Sequence, residues 1–529
     1  MSPTVPAPIQ SCAPAWSPDC GDGRYRNPVL HADYSDPDVV RVGRDYYLVA
    51  SSFTCVPGLP LLHSRDLVNW RLINHALPRQ VPEEHFSVPR HGQGVWAPSL
   101  RHQAGKFWIY YPDPDFGLYV ITADDPAGRW SEPVLVKAGK GLIDPCPLWD
   151  TDGRVYLVHG WAKSRAGICN VITLLRLSAD GQRVEEDLGI IVDGAMVPVP
   201  GFCTLEGPKL YQRDGWYYVS APAGGVATGW QSVFRSKNIR GPYEHRIVLA
   251  QGTTAINGPH QGALVDTPDG AWWFLHFQDK DAYGRIVHLQ PVNWRDGWPV
   301  IGADPDGDDT GEPVLVHPKP LQTGEPAVAP ATSDEFSSPQ LGLQWQWQAN
   351  PAAGWASLTE RPGSLRLHGQ PEPRPDNLYR APHLLLQKFP ALEFSVTTKL
   401  EFQPQSAGEQ AGLLVFGYDY AWIGLCARPH GTDVVQAVRL QAANDGPQEI
   451  AVLREVVTGP VWLRVTVQAG GRCVFAFSTD GEFFTDTGRE FTATCGHWVG
   501  AKVGLFASAP AAARSCGQAD FDWFRVSSI

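Results

Sequence analysis

The chain of 529 residues is 43% apolar and 11% aromatic, carries a formal charge of −12, and contains 53 glycines and 47 prolines. That length exceeds what one hydrophobic core supports, so at least two domains are expected, and low charge with abundant turn formers excludes disorder and helical bundles in favour of an all-β protein. A negative balance without a dense Lys/Arg cluster excludes a nucleic-acid partner, and no run of about 18 apolar residues is present to cross a membrane as a helix.

Residues 1–24 read as a proline-marked N-terminal head with neither a charged n-region nor a continuous apolar h-region. A cytoplasmic protein is expected on that basis, or a periplasmic or secreted one if a leader has been removed. The ten cysteines show no Cys-x-x-Cys or zinc-ligand spacing, so reduced and mostly buried thiols are expected. Cys12 and Cys20, in the head, stand near enough in sequence to pair.

From 25 to 301 one pattern recurs five times. Short lead-ins, Asp36-Pro37-Asp38, Trp96-Ala97-Pro98, Asp144-Pro145-Cys146, Glu206-Gly207-Pro208 and Asn257-Gly258-Pro259-His260, are each followed by an apolar run, a polar turn and an aromatic-rich alternating strand. The turns close on Gly43, Gly105, Gly153, Gly215 and Gly270, at intervals of 62, 48, 62 and 55 residues. Units of this length with about four short strands each predict the blades of a five-bladed β-propeller.

Residues 302–332 break the pattern and read as a linker. Their run Asp304-Pro305-Asp306-Gly307-Asp308-Asp309 looks like the start of a calcium loop, but the twelfth position holds Leu315 where such a loop needs a glutamate, so a solvated turn is expected. From 333 to 529 a new series of short strands, among them Trp462 to Val467 and Asp520 to Val526, predicts a jelly-roll β-sandwich.

Three of the five lead-ins begin with an acid. In a propeller, equivalent blade positions converge on the axis, so Asp36, Asp144 and Glu206 are expected to face one another across a funnel. Carboxylates gathered in a partly dry cavity raise one another's pKa values, which lets one stay protonated while another stays ionised, the division of labour that glycosidic cleavage requires. Taken singly, an acid before proline commonly caps a turn.

Ser35 to Gly43, Gly94 to Ser99, Ile143-Asp144-Pro145 and Leu205 to Pro208 carry a resemblance: residues 25–300 resemble the family-43 glycoside hydrolases, five-bladed propellers acting on arabinose- and xylose-containing polysaccharides. Residues from about 333 to 529 are similar to the lectin-like, concanavalin-like β-sandwich of that family's xylosidase and arabinofuranosidase branches. The resemblance implies Asp36 as general base, Glu206 as general acid and Asp144 as the carboxylate that orients Glu206. It also implies inversion, and therefore room for a water between Asp36 and Glu206.

By the same resemblance Arg285 contacts the terminal sugar, with a solvated surface arginine as the alternative, and His260 faces a hydrated calcium ion on the axis, with a metal-free packed histidine as the alternative. Trp96 is read as a wall of the sugar pocket or as a core residue, and Phe53 as a substrate contact. Cys55 and Val56 stand where the xylosidase branch usually has aromatic residues, which suggests a wider leaving-group side. Tyr111 to Gly117 is either another wall or an ordinary loop.

The expected activity is inverting, exo-acting removal of a terminal unit from hemicellulose oligosaccharides, α-L-arabinofuranosyl first and β-D-xylosyl second, without a cofactor for the chemistry. The alternatives are a strict β-D-xylosidase and a noncatalytic sugar-binding protein. A pentose-containing oligosaccharide is the expected partner, and a homo-oligomer is compatible with the sequence.

Overall fold

A computed structural model describes residues 14–371 and 377–529; Cys12 lies outside the described residues. The chain forms five four-stranded antiparallel sheets followed by a two-sheet sandwich. Blade I runs from Asp38–Val42 to Arg71–Leu77, blade II from Ser99–Gln103 to Val134–Ala138, and blade III from Leu142–Trp149 to Val184–Asp193. Blade IV runs from Lys209–Arg213 to Glu244–Leu249 and blade V from His260–Asp266 to Trp298–Ile301. Every blade is one contiguous stretch paired in chain order, which is why the repeat shows in the sequence. The recurring glycines sit in the first hairpin of each blade with φ between 65° and 88°, a left-handed turn that glycine adopts without steric cost.

Polar contacts link the inner strands from blade to blade. Asp38, fully buried, accepts from Leu100 N at 2.7 Å and Arg101 Nη1 at 2.7 Å. Arg101 reaches Cys146 Sγ, which also accepts from Leu210 N, and Tyr211 OH accepts from Leu264 N. Arg41 and Asp266 join blade I to blade V. The segment before blade I acts as a clasp: Arg24–Arg26 pairs with Val316–Pro318, Leu30 pairs with Val287, and Asn27 Nδ2 donates to Leu289 O and Val314 O. The stretch between the domains thus contributes a strand, and its acidic run is a turn whose Asp304 and Asp309 are engaged by Arg295.

In the sandwich, strands such as Val461–Gln468 alternate buried and half-buried residues, so one face of that seven-stranded sheet meets the core and the other is more open. Tyr420–Arg428 in the facing eight-stranded sheet is buried along nearly its whole length, because its outer face carries a second apolar layer around Trp422, Tyr379 and Phe416. The two domains share packing. Ala282, Tyr283 and Ile286 of blade V belong to the sandwich core, and His91 stacks on Tyr379 with ring centroids 3.9 Å apart. Val56 and Trp347 exchange backbone hydrogen bonds across the junction. Among the described residues no helix is long and apolar enough to cross a membrane.

Candidate active site

A pocket of about 320 Å³ opens where the inner strands begin, and Asp36, Asp144 and Glu206 all line it. Asp36 and Asp144 have φ of 54° and 56°, left-handed conformations rare outside glycine though tolerated by aspartate, each directly before a proline. Such conformations persist where surrounding structure imposes them and cluster at functional sites. The turn-cap reading of these acids is overturned for Asp36, whose carboxylate is held by side chains.

Asp36 is 4% exposed. Its Oδ2 accepts from Ser35 Oγ at 2.7 Å and Ser51 Oγ at 2.6 Å, and Arg285 Nη1 lies 3.0 Å from Oδ1. Two hydroxyl donors and a guanidinium hold this buried carboxyl in a fixed orientation. Asp144 is buried and accepts from Gly207 N at 2.7 Å, which ties it to the residue after Glu206. Glu206 is half-buried and faces the pocket, and its carboxyl takes no hydrogen bond from the described residues. Burial, and next the charge of Asp144, lift Glu206 well above the usual carboxylate range. Burial, opposed by the Gly207 N–H and reinforced by Asp36, lifts Asp144 likewise. The pocket therefore sets Glu206, displaced toward the neutral acid, beside an Asp36 carboxyl anchored by an arginine.

Arg285 is a buried pocket residue, not a surface arginine, and its backbone N–H is fixed by Asp33 Oδ1 at 3.0 Å. Trp96 is half-buried on the pocket wall, with Nε1 donating to Gly92 O and its ring 6.2 Å from Phe53, which is buried and also lines the pocket. His260 lies buried behind the lining, neutral because burial pushes it down to about 3. Neither of its ring nitrogens has a hydrogen-bond partner among the described residues.

One sequence expectation fails in the geometry, and of the two readings of Tyr111 to Gly117 the ordinary loop holds. Cys55 and Val56 do not line the pocket: both are buried and face the sandwich through Lys502 and Trp347, so they do not set the width of the leaving-group side. Tyr111 to Gly117 does not line it either; Tyr111 packs on Tyr119, while Asp115 pairs with Arg165, whose guanidinium lies over Trp96.

Residues not singled out in the sequence complete the wall. Trp161, Ser164, Cys169 and Asn170 come from blade III, and Trp498 comes from the sandwich. Trp498 is 43% exposed, its ring 6.2 Å from Trp96 and 5.7 Å from the Arg285 guanidinium. Its loop is held close by Asp33, which accepts from Gly500 N at 2.9 Å. A Cβ on Gly284 would stand 2.5 Å from Gly500 N, so only glycine allows that approach. The glycines flanking Trp498 are the one sequence signal that could have pointed to it.

A propeller with three acids at its mouth, one anchored by arginine and one held protonated, is the active-site architecture of a glycoside hydrolase. The chain belongs to glycosyl hydrolases family 43, whose model matches residues 25–299, and residues 333–527 match the β-xylosidase C-terminal concanavalin A-like domain. A protein of Xylanibacter ruminicola is 41% identical over 92% of this chain and 86% of its own length. A β-xylosidase of Formosa agariphila is 32% identical, covering 96% of this chain and 90% of itself. A non-reducing end α-L-arabinofuranosidase of Bacteroides ovatus is 30% identical, covering 94% of each. The crystal structure of a xylan β-1,4-xylosidase from Bacillus halodurans superposes with a TM-score of 0.83 at 27% identity, over 95% of this chain and all of its own.

Proposed function

We propose that this glycosidase cleaves a terminal pentosyl unit with inversion, Asp36 acting as general base, Glu206 as general acid and Asp144 as the residue that orients Glu206 and raises its pKa. The observation that carries it is the contrast between the two carboxyls: Asp36 is anchored by Arg285, Ser35 and Ser51, while Glu206 is unbonded, desolvated and open to the pocket. Asp36 takes a proton from a water that attacks the anomeric carbon. Glu206 gives its proton to the departing oxygen as the glycosidic bond breaks, and the two acids exchange charge states over the cycle.

β-D-Xylosyl is the first substrate we assign and α-L-arabinofuranosyl the second. The case for a wider pocket rested on Cys55 and Val56, which face away from it. The names carried by the Formosa and Bacillus relatives support xylose, and that of the Bacteroides relative supports arabinofuranose. Trp96, Phe53, Arg285 and Trp498 supply the apolar faces and the cation that orient a sugar ring.

His260 fits a hydrated calcium ion to a limited degree. Its two unpartnered buried nitrogens could take one metal bond or orient bound waters, but one imidazole is a poor donor set for a cation that prefers oxygen. Such an ion, held by His260, would supply positive charge there.

The test is side-by-side hydrolysis of 4-nitrophenyl β-D-xyloside and α-L-arabinofuranoside, with the anomer first released read by proton NMR. Faster xyloside cleavage with α-xylose as the initial product is expected. Release of β-xylose would overturn the inverting assignment, and turnover of neither glycoside would overturn the pentosidase.

A further inference from the structure

The residue pair Cys55 and Lys502 is not used by the chemistry above. Cys55 is 1% exposed in the propeller, Lys502 is 3% exposed at the start of the sandwich strand Lys502–Ala509, and Nζ lies 2.7 Å from Sγ. The other buried lysines are differently served. Lys319 meets Asp19 and Asp66, and Lys209 donates to Pro98 O and Ser99 Oγ. Lys502 has the Cys55 sulfur as its hydrogen-bond partner among the described residues and no carboxylate within ion-pair reach.

Burying an amine without a carboxylate partner is costly, and the Cys55 sulfur is the polar contact that Lys502 has in its place. A second amine adds to the strain: Lys388 is held below its ordinary value by burial, and Lys502 presses it the same way. The contact is shorter than the amide contact of Leu210 N to Cys146 Sγ, 3.2 Å. Arg101 approaches Cys146 at 2.8 Å, but a guanidinium stays protonated and paired with Asp38, leaving no amine to react.

A separation of 2.7 Å is too long for a direct sulfur–nitrogen bond and suits two single bonds meeting at one oxygen. We propose that peroxide oxidation joins Cys55 to Lys502 through an Sγ–O–Nζ bridge, covalently tying the propeller to the sandwich beside the pocket. Thiol, amine and two hydrogen peroxide molecules give the bridge and three waters. Sulfur and nitrogen each give up two electrons, and the two O–O bonds that break take up the four. One peroxide oxygen stays between sulfur and nitrogen, one hydrogen stays on nitrogen, and the other two protein hydrogens leave in water. The sulfur begins on the ordinary oxidation ladder as a sulfenic acid, a step reversible by thiols.

The bridge bears on the pocket because both its ends adjoin pocket residues. Phe53 stands two positions before Cys55, and Trp498 four before Lys502. Covalent closure fixes the propeller-borne and sandwich-borne walls relative to each other.

Full-length protein purified under reducing conditions, treated with hydrogen peroxide, thiol-blocked and digested, tests this by mass spectrometry. The expected product is a linked peptide pair containing Cys55 and Lys502, one oxygen heavier and two hydrogens lighter than the separate peptides, and lost on treatment with dithiothreitol. Lys502→Arg should abolish it, and the oxidised wild type should melt above its reduced form by a margin that disappears in this variant. Finding Cys55 as thiol, sulfenic or sulfinic acid with Lys502 unmodified in the wild type would overturn the proposal, as would a linkage lacking the oxygen.

Discussion

At Glu206 the fold keeps a carboxyl group without a hydrogen-bond partner in a setting that favours the neutral acid. The sign of the resulting pH dependence follows from linkage. An acid whose folded pKa is raised binds its proton more tightly when folded, so stability is greatest below the unfolded value and falls as pH rises toward the folded one. Glu206→Gln should therefore raise the melting temperature at pH 7, by roughly 1–2 °C per kcal/mol relieved for a chain of this size, with the gain fading below about pH 4. The same variant should lose about 10²- to 10⁴-fold in kcat on xylo-oligosaccharides, the range general acid catalysis supplies. Calorimetry and steady-state kinetics on one preparation check both, and a variant less stable at neutral pH would contradict the burial argument.

Asp144 gives a second residue-scale test. Because its charge adds to the upward displacement of Glu206, Asp144→Asn should move the alkaline limb of the kcat/KM profile to lower pH. Loss of activity with an unmoved limb would make Asp144 a positioning residue through Gly207 alone.

At the scale of elements, the propeller is legible in the sequence because each blade is local. Every hairpin pairs neighbours in the chain, and the left-handed turn forces a glycine at a repeated place. The three acids are legible for the same reason, since equivalent positions in a repeat share a location. What joins the blades is less visible: no spacing announces that Asp38, Arg101, Cys146 and Leu210 form a chain of contacts across four of them. Asp38→Ala should leave Arg101 buried without its carboxylate and Lys209 with a weaker field, and removing one partner of a buried pair costs about 3–5 kcal/mol. Urea unfolding followed by tryptophan fluorescence measures it, and a loss under about 1 kcal/mol would show that water replaces the carboxylate.

For the whole molecule, the sandwich contributes Trp498 to the pocket wall, and this was beyond sequence reasoning because the contact joins residues hundreds of positions apart. Asp33 holds Gly500 across 467 residues, and the closeness of Gly284 to Gly500 brings Trp498 over Arg285 and opposite Trp96. A wall that contacts the sugar equally before and at the transition state contributes uniform binding, so its loss raises KM and leaves kcat nearly unchanged. Trp498→Ala should raise KM for xylobiose about tenfold, equivalent to ~1.4 kcal/mol of binding, and Trp498→Phe should recover much of it. Phe483, 78% exposed on the sandwich and absent from the pocket lining, serves as the control: Phe483→Ala should change neither constant. If Trp498→Ala instead lowers kcat and leaves KM alone, the indole acts on the reacting centre through Arg285 and Asp36, and the sandwich does more than wall the pocket.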